Sequence, residues 1–329
     1  MSRPLESSAL AEALHSGQRR ALARAITLIE STRDDHRQVA ATLLEVLTPY
    51  TGHSIRIGIS GVPGVGKSTF IENFGLHVIN AGHKVAVLSI DPSSAISGGS
   101  ILGDKTRMEE LARHPDGFIR PSPAGRTLGG VTRRTRETLL LCEAAGFDVV
   151  IVETVGVGQS ETAVAEMTDM FILLLLPGGG DELQGIKRGI MELADLVLVN
   201  KADGEMAAAA GRAAADYRNA LRLIRPHSPN WITPVKTCSA LENKGIAETW
   251  ETVLAYRDAL SKLGELAARR AAQARAWLWH ETSENLLAAL KNHPRVRRRL
   301  PELETAVMAG EVAPPLAAQE LLEIFLAWH

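Results

Sequence analysis

Five short apolar runs fix most of what this chain can become: IRIGIS (55–60), KVAVLSI (84–90), DVVIVET (148–154), FILLLLP (171–177) and LVLVNK (196–201). Each is built from Val, Ile and Leu without polar alternation. A strand with one wet face alternates, whereas a strand covered on both faces does not. The stretches between the runs are long enough for helices, which parallel strands need as crossovers. The expected fold is therefore α/β, with a doubly wound, mostly parallel sheet. A sixth candidate, ITPVKTCSA from Ile232, is weaker because Pro234 interrupts it.

Outside the runs the period becomes helical. Leu22, Ile26, Ile29, Val39, Leu43, Leu44 and Leu47 recur at helical spacing, and Pro49 and Gly52 close that segment. After about Lys262 the strands stop; Leu263, Leu266, Arg270, Ala274, Trp277 and Leu278 resume a helical period, followed by SENLLAALKNHP and AAQELLEIFLAWH. The expected division is an N-terminal helical extension (1–52), a central α/β domain (53–262) and a C-terminal helical arm (263–329). In the arm, Trp277, Trp279 and Trp328 fill a local core or form a partner surface, where large aromatics are enriched. Arg295, Arg297, Arg298 and Arg299 read as a solvated helix end, or as a site for a phosphate-rich partner.

Composition removes several classes. The 36 Lys and Arg against 38 Asp and Glu leave a net charge of −2, which argues against a general nucleic-acid binder. Two cysteines, Cys142 and Cys238, exclude a disulfide framework and a Cys-rich zinc site. The longest apolar run, Met170 to Leu176, is far shorter than the roughly 20 residues of a membrane span. The start, MSRPLESSALAEAL, does not read as a signal peptide, so the cytoplasm is the expected compartment, with no membrane partner.

The first run leads directly into Gly61, Val62, Pro63, Gly64, Val65, Gly66, Lys67, Ser68 and Thr69, which satisfies the phosphate-binding P-loop pattern. Glycines let the loop curl so that backbone N–H groups converge on an anion at the positive end of the next helix. Lys67 is expected to reach β- and γ-phosphates, and the Ser68 hydroxyl to ligate Mg²⁺. The expectation is thus a P-loop NTPase flanked by helical extensions.

The base is chosen at the end of LVLV, where Asn200, Lys201 and Asp203 form an NKxD string. Guanine offers N1–H and a 2-amino group to one carboxylate; adenine does not. Asp203 therefore selects guanine, Asn200 braces the loop and the base, and the Lys201 stem covers the base face. The competing reading of Asp203 is a helix N-cap. Ser239, Ala240 and Leu241 follow the sixth strand candidate, where backbone N–H groups are expected to meet guanine O6.

Between these ends lie expected γ-phosphate sensors. Glu153 stands at a strand end beside Mg²⁺, and the Gly156 N–H faces the γ-phosphate. Asp91 is a second carboxylate for the metal or the attacking water, with an N-cap as the competing reading. The Gly/Ser-rich stretch 93–108 reads as a switch in which Asp104 approaches Mg²⁺ and Arg107 the phosphates; a solvent-exposed ion pair is equally open. Val157 occupies the position where Ras-like GTPases place a glutamine, so hydrolysis is expected to be slow without a partner.

Taken together, GVPGVGKST, LSIDPSS, ETVGVGQSE, PGGGDELQGIK and NKAD resemble the MeaB family, across the whole chain. Its members are GTPases auxiliary to adenosylcobalamin-dependent methylmalonyl-CoA mutase, related to ArgK-type proteins and to the methylmalonic aciduria type A protein. The resemblance implies a SIMIBI-class GTPase using GTP/GDP and Mg²⁺. It implies a chaperone that gates cofactor loading and protects or reactivates the mutase. It also implies a homodimer through the C-terminal helices and a partner switch with Asp181, Gln184 and Lys187. Two alternatives stand beside it. A metal-insertion GTPase would want clustered Cys/His, yet even His77 and His83 are six apart. A kinase acting on a transport protein is weakened by the guanine-selective Asp203.

Overall fold

The computed structural model describes residues 3–31, 33–90, 108–121, 128–154, 160–178, 188–224 and 228–327. The chain divides into two compact units, Met1–Arg269 and Arg270–His329. The first contains strands β1 (Ile55–Gly61), β2 (Val85–Ile90), β3 (Gly117–Arg120), β4 (Val149–Thr154), β5 (Met170–Leu175), β6 (Leu196–Val199) and β7 (Val235–Thr237). They form one sheet in the order β3-β2-β4-β1-β5-β6-β7, and every neighbouring pair is parallel.

The unalternating runs now have a physical cause, because β2, β4, β5 and β6 each feed two cores, whereas β1 gives Ile55, Ile57 and Ile59 to one and turns Arg56, Gly58 and Ser60 to the other face. Val85 and Val87 of β2 join the core on one face, while Ala86, Leu88 and Ile90 join the other. In β5, Met170, Ile172 and Leu174 likewise oppose Phe171, Leu173 and Leu175. One face is covered by α4 (Lys67–Asn80), α5 (Glu109–Arg113) and α10 (Ile246–Lys262). The other carries α6 (Leu128–Ala144), α7 (Ser160–Ala165), α8 (Arg188–Leu193) and α9 (Ala207–Leu221).

Two strands depart from the simple pattern. β3 is short and carries Gly117 and Arg120 with alternating burial, as suits a strand at the sheet's edge, so it gives no apolar run. β7 begins immediately after Pro234 and forms the opposite edge, where a proline before the strand leaves the ladder intact.

The N-terminal helices α1 (Arg3–His15), α2 (Arg19–Glu30) and α3 (Asp34–Leu47) belong to the first unit. Leu14, Leu22, Ile26, Leu43 and Leu47 share the core that contains Leu139 and Cys142 of α6. Arg19 donates through Nη2 to the Gly117 carbonyl at 2.6 Å, and Arg120 pairs with Glu30, so polar contacts fasten this layer over the β3 edge.

The second unit holds most of α11 (Glu265–Asn292), with α12 (Pro294–Met308) and α13 (Pro314–Leu326). Val296, Leu303 and Ala317 are buried, and His293 meets Phe325 edge-on at 5.6 Å between ring centroids. Trp279 is 63% exposed, together with Leu278 and Leu286, so this tryptophan does not fill a local core. Trp277 is half-buried and donates to Glu281 at 3.2 Å, while Trp328 lies outside the described residues. Arg295, Arg297 and Arg298 are solvated, whereas Arg299 pairs with Glu320 and Glu302.

A buried ion pair joins β1 to α6. Glu143 accepts from Arg56 Nε and Nη2 at 2.8 and 2.9 Å, from the Gly52 N–H at 2.8 Å, and from the Ser54 hydroxyl. Burial opposes its charge, but Arg56, Ser54 and Gly52 outweigh that and hold the carboxyl below its ordinary value. Such a group stabilises the fold fully above its unfolded pKa of about 4.3, and the contribution is lost as pH falls through the lower folded value. Glu143→Gln leaves Arg56 buried with a weaker acceptor. In urea denaturation it is expected to cost about 3 kcal/mol at neutral pH and to flatten the loss of stability on acidification. An unchanged acid profile would contradict this role.

Candidate functional site

The carboxyl ends of β1, β4 and β6 open on the same end of the sheet, because all strands run parallel. Successive strands pass to opposite sides of β1, which is the kind of switch point where α/β sheets bind ligands. From β1 the chain enters the loop Val62–Gly66 and then α4. Gly66 caps that helix with φ 91° and Gly64 has φ 77°, left-handed conformations that suit glycine. A Cβ at Gly61 would lie 2.5 Å from the Leu174 carbonyl, and one at Gly66 would lie 2.9 Å from Asn200 Nδ2. The glycines are therefore demanded by close approach as well as by the turn.

Lys67 begins α4 and curls back over the loop, donating to the Gly61 carbonyl at 2.6 Å and towards Val62 at 3.4 Å. Burial lowers its pKa, and the negative charges of Glu153 and Glu161 work in the opposite direction. A partly desolvated cation beside free N–H groups at a helix N-terminus is suited to an anion. Ser68 follows on the same turn. Glu153 is buried near the end of β4, where Oε1 accepts from Ser89 Oγ of β2 at 2.7 Å. Hydroxyl and carboxylate oxygens are the donor chemistry that Mg²⁺ takes.

Asn200 follows β6 and is buried. Its Nδ2 donates to the Val65 carbonyl at 2.8 Å, and its Oδ1 accepts from the Ala240 N–H at 3.0 Å and the Cys238 thiol at 3.5 Å. Lys201 has φ 59°, a conformation that is uncommon for a non-glycine residue and concentrates at functional sites. Asp203 occupies the N-cap position of a 3₁₀ turn, Gly204–Met206, yet its side chain makes no capping hydrogen bond. The N-cap reading of Asp203 therefore fails, and its carboxylate is half-exposed.

Of the three amides expected to meet the base, Ser239 donates to the Lys244 carbonyl at 3.0 Å and Ala240 to Asn200. The Leu241 N–H takes no partner among the described residues. Asp91, Asp104, Arg107, Gly156, Asp181, Gln184 and Lys187 lie outside the described residues, as does Val157.

Sequence reasoning passed over Ser89, Glu161 and Asn73. Ser89 carried a signal, as a polar residue inside KVAVLSI. Glu161 is 1% exposed in the first turn of α7, which no spacing rule marks. Asn73 of α4 donates to the Ala240 carbonyl at 2.5 Å, a contact across 167 positions that only the fold creates.

Comparison with known proteins agrees with this geometry. Residues 22–295 match the family model described as methylmalonyl Co-A mutase-associated GTPase MeaB. A putative GTPase of Caulobacter vibrioides is 56% identical, covering 98% of each chain. The mitochondrial methylmalonic aciduria type A homolog of Mus musculus is 48% identical over 96% of this chain and 79% of its own. A crystal structure titled LAO/AO transport system kinase superposes with a TM-score of 0.77 at 40% identity, covering 97% of each chain.

Gly66→Ala is expected to weaken GDP binding at least about tenfold, since a Cβ meets the buried Asn200 amide and φ is strained. Gly211→Ala on α9 faces open space and serves as the control, with stability unchanged or raised by roughly 0.5–1 kcal/mol. Calorimetric titration and thermal melting distinguish the two; equal GDP affinity in Gly66→Ala would contradict the cradle.

Proposed function

The chain belongs to the MeaB family of methylmalonyl-CoA mutase-associated GTPases, and on that premise we propose that it is a nucleotide-gated chaperone of methylmalonyl-CoA mutase. It binds guanine nucleotides and hydrolyses GTP, as its family does. In our reading, GTP binding and hydrolysis gate adenosylcobalamin loading and protect or reactivate the mutase. The observation that carries the site assignment is Asn200, bonded at once to the P-loop and to the loop that follows β7.

The loop N–H groups and Lys67 hold the phosphates, and Asp203 with the Lys201 stem holds guanine. In hydrolysis water forms a bond to the γ-phosphorus while the bond to the bridging oxygen breaks, and negative charge accumulates on GDP. Lys67 and the α4 N-terminus stabilise that charge without rearranging. Ser68, Asp91, Asp104 and Glu153 would hold Mg²⁺, which when bound neutralises phosphate charge. Arg107 and the Gly156 N–H are assigned to the γ-phosphate. Asp181, Gln184 and Lys187 are assigned to a partner-facing switch, and the arm 263–329 to homodimerisation. The exposed Leu278 and Trp279 on α11 support that last assignment. The extension 1–52 and the nucleotide domain 53–262 complete the division, with the cytoplasm as the proposed compartment. Among the described residues no helix is long and apolar enough to cross a membrane.

The solved relative is titled a transport-system kinase. The uncapped Asp203 carboxylate favours guanine over adenine here, and so favours the GTPase reading.

Asp203→Asn is expected to weaken GDP binding about a hundredfold or more and to favour xanthosine diphosphate, whose 2-carbonyl accepts from the new amide. Retained GDP preference would displace Asp203 from the base site. For the chaperone reading, single-turnover GTP hydrolysis is expected to be slow alone and at least about tenfold faster with methylmalonyl-CoA mutase. Fast unassisted turnover, or no acceleration and no complex in any nucleotide state, would sink it.

A further inference from the structure

We infer that Asn73 is a specificity-determining positioning residue, which aims the Leu241 N–H at guanine O6 by holding the Ala240 carbonyl. The inference rests on the base placement at Asp203 proposed above.

The Ala240 carbonyl and the Leu241 N–H belong to one planar trans peptide, so they point in opposite directions. Asn73 Nδ2 donates to that carbonyl at 2.5 Å from α4. The Leu241 N–H is thereby turned away from α4. It is the one amide of the Ser239–Leu241 set that is not engaged by another described residue. Leu241 is 79% exposed, so no packing of its own side chain fixes this peptide. The preceding peptide is held independently, because its Ala240 N–H donates to Asn200 Oδ1 at 3.0 Å.

Two asparagines thus restrain consecutive peptides, one through its N–H and the next through its carbonyl. Asn200 reaches from the carboxyl end of β6, and Asn73 reaches from the helix that starts at Lys67. α4 therefore links the phosphate end of the site to the base end through a rigid rod. Asn73 is half-buried and its bond is to backbone, so its replacement removes one restraint without opening the core.

The test separates recognition of O6 from general damage. GDP presents O6; the diphosphate of 2-aminopurine riboside keeps the 2-amino group but lacks O6 and the N1–H, and because the N1–H loss is common to every variant, only the change in discrimination reports on O6. Asn73→Leu is expected to weaken GDP roughly tenfold and the 2-aminopurine nucleotide less than about twofold, so that discrimination between them shrinks. Asn73→Asp, which sets a carboxylate against the carbonyl, is expected to shrink it further. Asn73→Gln, which keeps a donor on a longer arm, is expected to restore part of it. Thermal melting with GDP absent verifies that each variant is folded. Equal losses for both nucleotides, or no loss for either, would overturn the assignment of Asn73. If Asp203→Asn fails to favour xanthosine diphosphate, the base placement itself falls. If it succeeds while discrimination in Asn73→Leu is unchanged, only the Asn73 inference falls.

Discussion

Asn200 commits both ends of its amide to backbone that is distant in sequence: Nδ2 to the Val65 carbonyl of the loop after β1, and Oδ1 to the Ala240 N–H after β7. Only one orientation of the amide satisfies both, since a carbonyl needs a donor and an N–H an acceptor. The residue is buried, so losing either contact leaves a polar group without water to replace it. Everything around it follows from that constraint. Gly66 has no side chain because a Cβ would strike Nδ2, and the loop after β7 is held against the end of β6. A site that must bind both phosphate and base in one molecule is thereby made a single rigid piece.

The sheet supplies the rigidity from below. At the amino ends of the strands, Asp169 accepts from the Arg56 N–H at 2.8 Å and Asp195 from the Phe171 N–H at 2.9 Å. Arg269 then joins Asp195 to the Tyr256 hydroxyl, which it approaches at 2.6 Å, and to the Asp169 carbonyl. Burial and the neighbouring Asp195 carboxylate push the Tyr256 hydroxyl pKa upward, so it remains neutral. These charges lie at the end of the sheet remote from the nucleotide loop, where they brace strand ends rather than meet phosphate. The near-neutral composition fits the proposed site, in which backbone N–H groups and one lysine would hold the anion without a basic surface.

Sequence disclosed the parts that obey a period or a fixed spacing. The apolar runs marked β2, β4, β5 and β6 because burial on two faces removes polar alternation, and β1 because Ile55, Ile57 and Ile59 repeat with a period of two. The P-loop was legible because its glycines, lysine and serine must occupy fixed places, and Asp203 stands out as the proposed base partner because guanine recognition needs a carboxylate at a strand end. β3 stayed hidden, as a short edge strand has no such burden. Asn73 stayed hidden for a different reason. It looks like any polar residue on a helix, and its partner lies 167 positions away. The engaged amides of Ser239 and Ala240 show the same limit, since hydrogen-bond partners depend on tertiary placement.

We propose that phosphate and base recognition are mechanically one site, coupled through Asn200. Hydrogen exchange of the Ser239–Lys244 segment with saturating inorganic pyrophosphate tests it most directly, because that ligand fills only the phosphate end. Slower exchange in this segment is expected in the wild-type chain, with loss of the effect in Asn200→Ala while the P-loop amides remain protected. Protection confined to the P-loop in the wild-type chain would contradict the coupling.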